Sequence, residues 1–220
     1  MGKFFSSLFV SSKCRIFLMS AAFCVVVHPY ILDVCAKQVQ NKENSIVLKI
    51  ESYLKGIKYI SSDFVQYNFE GDTYLGHIWL SKADRRNQRV RIDYTDGINQ
   101  RILIHGKNIR VINKDNGSES SYPISQTPIY TILDEGLDFS KEKYKVLSNN
   151  KECAQIYITR KSQMGDMGIT LIFSKYPNGN IKNLVAWKIM NPDSSVNSFI
   201  FVEDTLFVND SSKIPQNIFQ

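Results

Sequence analysis

The chain has 220 residues, 43% of them hydrophobic, 12% aromatic and 22% charged, with a formal net charge of +6. This is the size and make-up of one globular domain, alone or behind a removable leader. The basic excess is too mild for a nucleic-acid binder and excludes nucleic acid as the expected partner.

The first 36 residues read as that leader. Lys3, Lys13 and Arg15 precede an uncharged apolar run, Ile16 to Val27, which is shorter than the ~20 residues a spanning helix needs. Val34-Cys35-Ala36 places small residues one and three before a cut. A secretory signal peptide over 1–36, cleaved after Ala36, is therefore expected, with a mature domain over 37–220. An uncleaved anchor is one alternative. A lipidated Cys35 is another, opposed by Asp33 and Val34 where lipoprotein leaders carry small residues. The leader holds three bases and one acid, so the mature charge falls to +4. Cys14, Cys24 and Cys35 leave with it. Cys153 alone remains, no intramolecular disulfide can form, and the domain must rest on its own core. Cys153 sits in a strand-like segment and reads as a packed thiol.

The mature chain opens with Ile46, Ile50, Tyr53, Leu54 and Ile57 at three- and four-residue steps, which predicts an amphipathic helix over about Lys42 to Tyr59. The period then drops to two. Strands are expected over Asp63–Phe69, Tyr74–Ser81, Gln88–Tyr94, Gln100–Ile104, Asn108–Asn113 and Ser118–Ile124. In the third, Val90, Ile92 and Tyr94 share one face and Arg89, Arg91 and Asp93 the other, the mark of a sheet wet on one side. Thr127-Pro128 predicts an N-cap with proline at the first helical position, opening a short helix to Glu135 that presents Ile129, Ile132 and Leu133, with Gly136 as its C-cap. Strands resume at Lys143–Leu147, Cys153–Thr159, Gly168–Ser174, Ile181–Met190 and Asn197–Glu203. The expected class is mainly β with some α. Its form is a curved antiparallel sheet, an incomplete, unclosed barrel with a helical lid. A filled two-sheet sandwich fits the same pattern.

Catalytic constellations are scarce. His77 and His105 lack metal-ligand spacing, and neither a phosphate loop nor a nucleophile elbow is present. No enzyme activity and no cofactor or metal are expected. The cluster Lys82, Arg85, Arg86, Arg89 and Arg91 reads either as a solvated hairpin loop or as a docking face for an acidic partner.

The order of motifs resembles the LolA family of periplasmic lipoprotein carriers, from about Ser45 to the C-terminus. Phe64-Val65-Gln66 matches its Phe-x-Gln strand. Gly76-His77-Ile78-Trp79-Leu80 matches the strand that opens with glycine. Arg91-Ile92-Asp93-Tyr94 matches its Arg-aromatic-x-Tyr strand, with Ile92 for the aromatic. Gln100 to Lys107 matches the strand ending in a Gly-Lys hairpin, and Thr127-Pro128 through Leu133 the Thr-Pro helix. The resemblance implies a monomeric periplasmic chaperone. It would bind the acyl chains of lipoproteins released by an inner-membrane ABC-type complex and deliver them to an outer-membrane receptor. It also implies an apolar cavity and lid, here Phe64, Ile78, Leu80, Val90, Ile92, Ile102, Ile104, Ile129, Ile132 and Leu133. Where the family has Arg-Pro, whose arginine holds the lid by its backbone carbonyls, this chain has Lys82-Ala83 and an insertion over Asp84 to Asn87. Lys82 is thus the candidate latch, without the planar guanidinium fork. A lipid-sensing regulatory domain and the outer-membrane receptor itself are alternatives on the same fold.

Overall fold

The computed structural model describes residues 43–83, 87–127, 129–134, 137–162 and 165–220. Contacts separate Met1–Gln40 from Asn41–Gln220, and all described residues fall in the second unit. The expected signal peptide and its cleavage site lie outside them, as do Arg85, Arg86, Pro128, Glu135 and Gly136.

Helix α1 covers residues 43–56. Its apolar stripe, Ile46, Val47, Ile50 and Leu54, is buried, because residues three and four apart stack on one face. The helix ends three residues before the predicted Tyr59, and the cause is distant in sequence. The Asn209 side-chain amide donates to Gly56 O at 3.0 Å, while its Oδ1 accepts from the amides of Lys58 at 2.6 Å and Tyr59 at 3.3 Å. One side chain thus caps the helix and starts the next strand.

That strand, β1, runs Tyr59–Tyr67, earlier than the predicted Asp63–Phe69. It stops at Asn68, whose Oδ1 accepts from the amides of Glu70 and Asp72 and so favours a turn over continued extension. β2 (Thr73–Ser81), β3 (Arg89–Asp96), β4 (Gln100–His105), β5 (Asn108–Asn113) and β6 (Glu119–Pro123) follow as antiparallel neighbours. After the lid segment come β7 (Lys143–Asn149), β8 (Cys153–Ser162), β9 (Gly165–Lys175), β10 (Ile181–Met190) and β11 (Val196–Phe201). A two-residue β12, Phe207–Val208, pairs with the start of β1.

Eleven of the twelve strands follow one another in a single sheet in the order β6-β5-β4-β3-β2-β1-β11-β10-β9-β8-β7, and β12 joins the sheet off this path, beside β1. The two meanders join where β1 pairs with β11, in the register Phe64↔Phe201 to Tyr67↔Ser198. β6 and β7 end the order, so the sheet is not closed into a barrel, as the sequence predicts. The single sheet replaces the sandwich alternative. Alternation in β3 is as expected, with Val90, Ile92 and Tyr94 buried between half-buried Arg89, Arg91 and Asp93. One apolar cluster runs from α1 across the inner face of the sheet to Ile132 and Leu133.

The lid differs from its prediction. A 3-10 turn, Ile124–Gln126, precedes a single helical turn, α2, Tyr130–Leu133, with Ile129 at its N-cap. Thr127 does not cap it. The Thr127 hydroxyl instead donates back to Ile124 O at 2.9 Å, closing the preceding turn.

Candidate functional site

A cavity of about 350 Å³ opens between the inner face of the sheet and the lid segment. On one side it is walled by Ile92 and Tyr94 of β3, Ile102 and Ile104 of β4, Ile109 of β5 and Tyr122 of β6. On the other stand Met167 of β9, Trp187 and Ile189 of β10 and Phe199 of β11. Thr127 and Ile129 close it from the lid segment. β6 and β9 lie eight places apart in the strand order. A flat sheet at ~4.8 Å per strand would hold them nearly ~40 Å apart. Both touch this one cavity, so the sheet is rolled around it.

An aromatic stack underlies the floor, where Phe199 and Trp187 reach the cavity. Phe199 lies between Phe64 and Trp187, with ring centroids 4.0 and 4.3 Å away and planes tilted by 22° and 10°. Tyr94 meets Phe64 edge-on at 5.4 Å, the arrangement favoured by ring quadrupoles. Gly76 makes room for it. Gly76 faces Phe64 across β1–β2, and a Cβ there would lie 2.5 Å from Phe64 Cζ and 2.5 Å from Asp93 O.

The cavity wall is mostly apolar, and Gln66, Asn191 and Asn197 add carboxamides to it, brought near one another by the β1–β11 and β10–β11 registers. The Tyr94 hydroxyl donates to Gln66 Oε1 at 2.6 Å. Burial pushes the hydroxyls of Tyr94 and Tyr122 above the ordinary tyrosine value, so both are neutral donors at physiological pH.

Of the ten residues assigned to cavity and lid, Ile92, Ile102, Ile104 and Ile129 line the cavity. Phe64, Ile78, Leu80, Val90, Ile132 and Leu133 are buried at 0–2% exposure. They support the wall and anchor the lid without reaching the cavity. Sequence reasoning did not assign the other described lining residues, among them Gln66, Trp187, Ile189, Phe199 and Met167. Phe64-Val65-Gln66 already placed Gln66 on the Phe64 face, since strand side chains alternate.

Lys82 follows β2 and is only 5% exposed. Its ammonium donates to Leu54 O at 3.2 Å and to Ile132 O at 3.0 Å. Leu54 lies in the last turn of α1 and Ile132 in α2, so the cation joins the C-terminal ends of both helices, where carbonyls lack helical partners and the dipole favours positive charge. α1 is itself fixed to the far half of the sheet. The Tyr53 hydroxyl accepts from Leu184 N–H at 3.0 Å and its ring meets Phe173 edge-on at 5.7 Å. Burial pushes this hydroxyl up to about 12. Lys82 therefore does not belong to the surface cluster the sequence suggested. Arg91 is also occupied, held by Asp93 and by Ile218 O at 2.9 Å.

The outer face carries a serine–histidine–aspartate relay that the sequence did not reveal, because it depends on the β1–β2 register. His77 Nε2 is 2.9 Å from Ser61 Oγ and Nδ1 is 2.6 Å from Asp63 Oδ1. The relay is the inverse of a hydrolase triad. Its serine is buried at 5% exposure and its carboxylate is 52% exposed, whereas hydrolysis needs an open nucleophile and a sheltered acid. Among the described residues no helix is long and apolar enough to cross a membrane, and no group of three or more His, Cys, Asp or Glu side chains is placed to hold a metal.

Solved structures with similar folds include a lipoprotein-sorting protein domain from Vibrio parahaemolyticus, at 7% identity and a TM-score of 0.47, covering 79% of this chain and 94% of that one. The Pseudomonas aeruginosa MucA/MucB complex gives 12% identity and 0.44, covering 79% of this chain and 59% of that one. LprF from Mycobacterium bovis gives 13% and 0.43, covering 81% and 96%. No curated protein sequence matches significantly. The sequence profile of the outer membrane lipoprotein carrier protein LolA matches residues 55–214, well over half of the chain, and with the open twelve-stranded sheet around one lidded cavity it is this family to which the chain belongs.

Proposed function

We propose that this protein is a periplasmic carrier that shelters the acyl chains of lipoproteins between membranes, taking them from an inner-membrane release complex and passing them to an outer-membrane receptor. The observation that carries the reading is the apolar cavity under a lid whose Ile132 carbonyl is held by the buried Lys82 ammonium. Each acyl CH₂ gains ~0.8 kcal/mol on leaving water, so unaided escape from a membrane is slow, and a carrier must offer comparable apolar surface that it can also give up. A rolled sheet supplies the surface. A one-turn lid held by hydrogen bonds supplies release. Binding alone fulfils this role, and nothing in it asks the protein to form or break a covalent bond.

In the test, residues 37–220 are mixed with membranes bearing an acylated lipoprotein and with the same lipoprotein lacking its acyl groups. A soluble one-to-one complex that forms only with the acylated form is expected. Equal capture of both forms, or of neither, sinks the proposal. Mass spectrometry of the mature N-terminus separates the carrier from a receptor on the same fold, which would carry a lipid on Cys35.

A further inference from the structure

Resting on the carrier reading, we infer that the cavity also selects the chemistry at the head of the acyl chain. It takes chains joined through a neutral ester or amide and refuses ionised heads, with Gln66 and Asn197 as the residues that read the linkage carbonyls. Among the described residues that line the cavity there is no Asp, Glu, Lys, Arg or His. An ionised carboxylate or phosphate drawn in would lose its hydration and meet no opposite charge among these described residues, a cost far above that of a neutral carbonyl.

The carboxamides are placed to receive that carbonyl. Gln66 pairs with Phe199 across β1–β11, and both line the cavity. Asn197 lies two residues along β11 from Phe199, on the same face, and lines the cavity too. The Tyr94 hydroxyl occupies Gln66 Oε1. Tyr94 is thus a positioning residue that turns the amide so that its Nε2 donors remain for a ligand. Neither that amide group nor the Asn197 side chain bonds to any described residue. Asn191 binds Ser195 Oγ through Nδ2 at 2.8 Å, which leaves its Oδ1 as an acceptor on the same rim. Free carboxamide donors in a mostly apolar cavity suit a ligand with an apolar body and a carbonyl-bearing, uncharged head. A fatty acid and an acylglycerol of equal chain length differ in just this respect.

The test is displacement of N-phenylnaphthylamine from the folded protein at about pH 8, where a carboxyl with an ordinary value near ~4 is ionised. Monodecanoylglycerol and decanoate compete as chains of equal length. The ester is expected to bind about tenfold or more tighter than the carboxylate. Gln66→Leu and Asn197→Leu are each expected to lower the ratio of ester to carboxylate affinity severalfold, with the far-UV circular dichroism spectrum and thermal midpoint of each variant showing that it folds. Equal displacement by ester and carboxylate overturns the inference and leaves the carrier reading standing. So does an ester preference that survives both substitutions. Failure of the wild-type protein to bind dye or ester overturns both.

Discussion

Three positions bear on how the sheet and its lid are built and held. Gly76 is the first. With Phe64 Cζ and a backbone carbonyl both 2.5 Å from where its Cβ would stand, Gly76→Ala must displace either the aromatic stack or β3. Overpacking of this kind costs roughly 1–3 kcal/mol, and the lost stability should appear as a lower urea midpoint with an unchanged slope. Lys82 is the second. Lys82→Met keeps the aliphatic stem but strands the carbonyls of Leu54 and Ile132, at about 1–3 kcal/mol for an unpaired buried acceptor. The lid should open more often, and an apolar dye should bind the empty variant faster than the parent. An unchanged rate removes Lys82 from the mechanism. Asp93 is the third. Burial works to raise its carboxyl, but hydrogen bonds from Arg91 at 2.5 Å and Arg101 at 2.8 Å, with their charges, outweigh it and hold the group below the ordinary 3.8. As pH falls, the unfolded chain takes the proton first. The stabilisation is therefore complete above about pH 4 and is lost as pH falls through the folded value. Asp93→Asn should flatten the acid side of the stability profile, measured as unfolding midpoint against pH.

Among the elements, the lid is the least self-sufficient. A four-residue helix cannot form alone, since nucleation costs more than one turn returns. α2 persists because Ile132 and Leu133 are buried at 1% and 0% exposure and because Lys82 holds a carbonyl at its end. Thr131 works against it. Its hydroxyl is fully buried without a partner among the described residues, a penalty carried by the closed lid. Thr131→Val removes the penalty at nearly constant volume, so it should favour closure by about 1 kcal/mol and reduce dye uptake, the opposite of Lys82→Met. The sequence made the strands legible and the lid only partly so. Val90, Ile92 and Tyr94 declare β3 because an alternating face needs nothing beyond its neighbours. Thr127-Pro128 has the letters of a helix start, yet the threonine hydroxyl has a competing acceptor in Ile124 O, and local pattern cannot say which contact wins. The end of α1 was hidden for a similar reason, since its cap comes from Asn209, 153 residues away from Gly56.

At the scale of the molecule, the hairpins follow one another along the chain and could be read in order. The pairing that makes the sheet one surface, β1 with β11, joins segments more than a hundred residues apart and left no local mark. The wall supplied by β10 and β11 was missed as a result. Ile92, Ile102 and Ile104 were foreseen because the first meander and the family motifs both point to them. Trp187 and Phe199 were not, since their faces become inner only after β1 and β11 pair. In β10 the register also shifts between Leu184 and Ala186, which breaks the alternation that would have singled out Trp187. The signal that could have found them is Phe199 and Phe201, two aromatics on one face of a short strand, opposite a tryptophan.

The same arrangement equips the protein with its own optical reporter. The chain has two tryptophans. Trp187 lies in the cavity wall, flat against Phe199, while Trp79 stands on the outer face beside His77, with the Arg91 guanidinium 5.9 Å from its ring centre. Whatever fills the cavity changes the surroundings of one indole and leaves the other alone. In a Trp79→Phe background the emission should come from Trp187 alone, and it should shift in step with occupancy as an acyl ligand is added. In Trp187→Phe the emission should stay constant through the same titration, so occupancy of the cavity can be followed in an unlabelled protein.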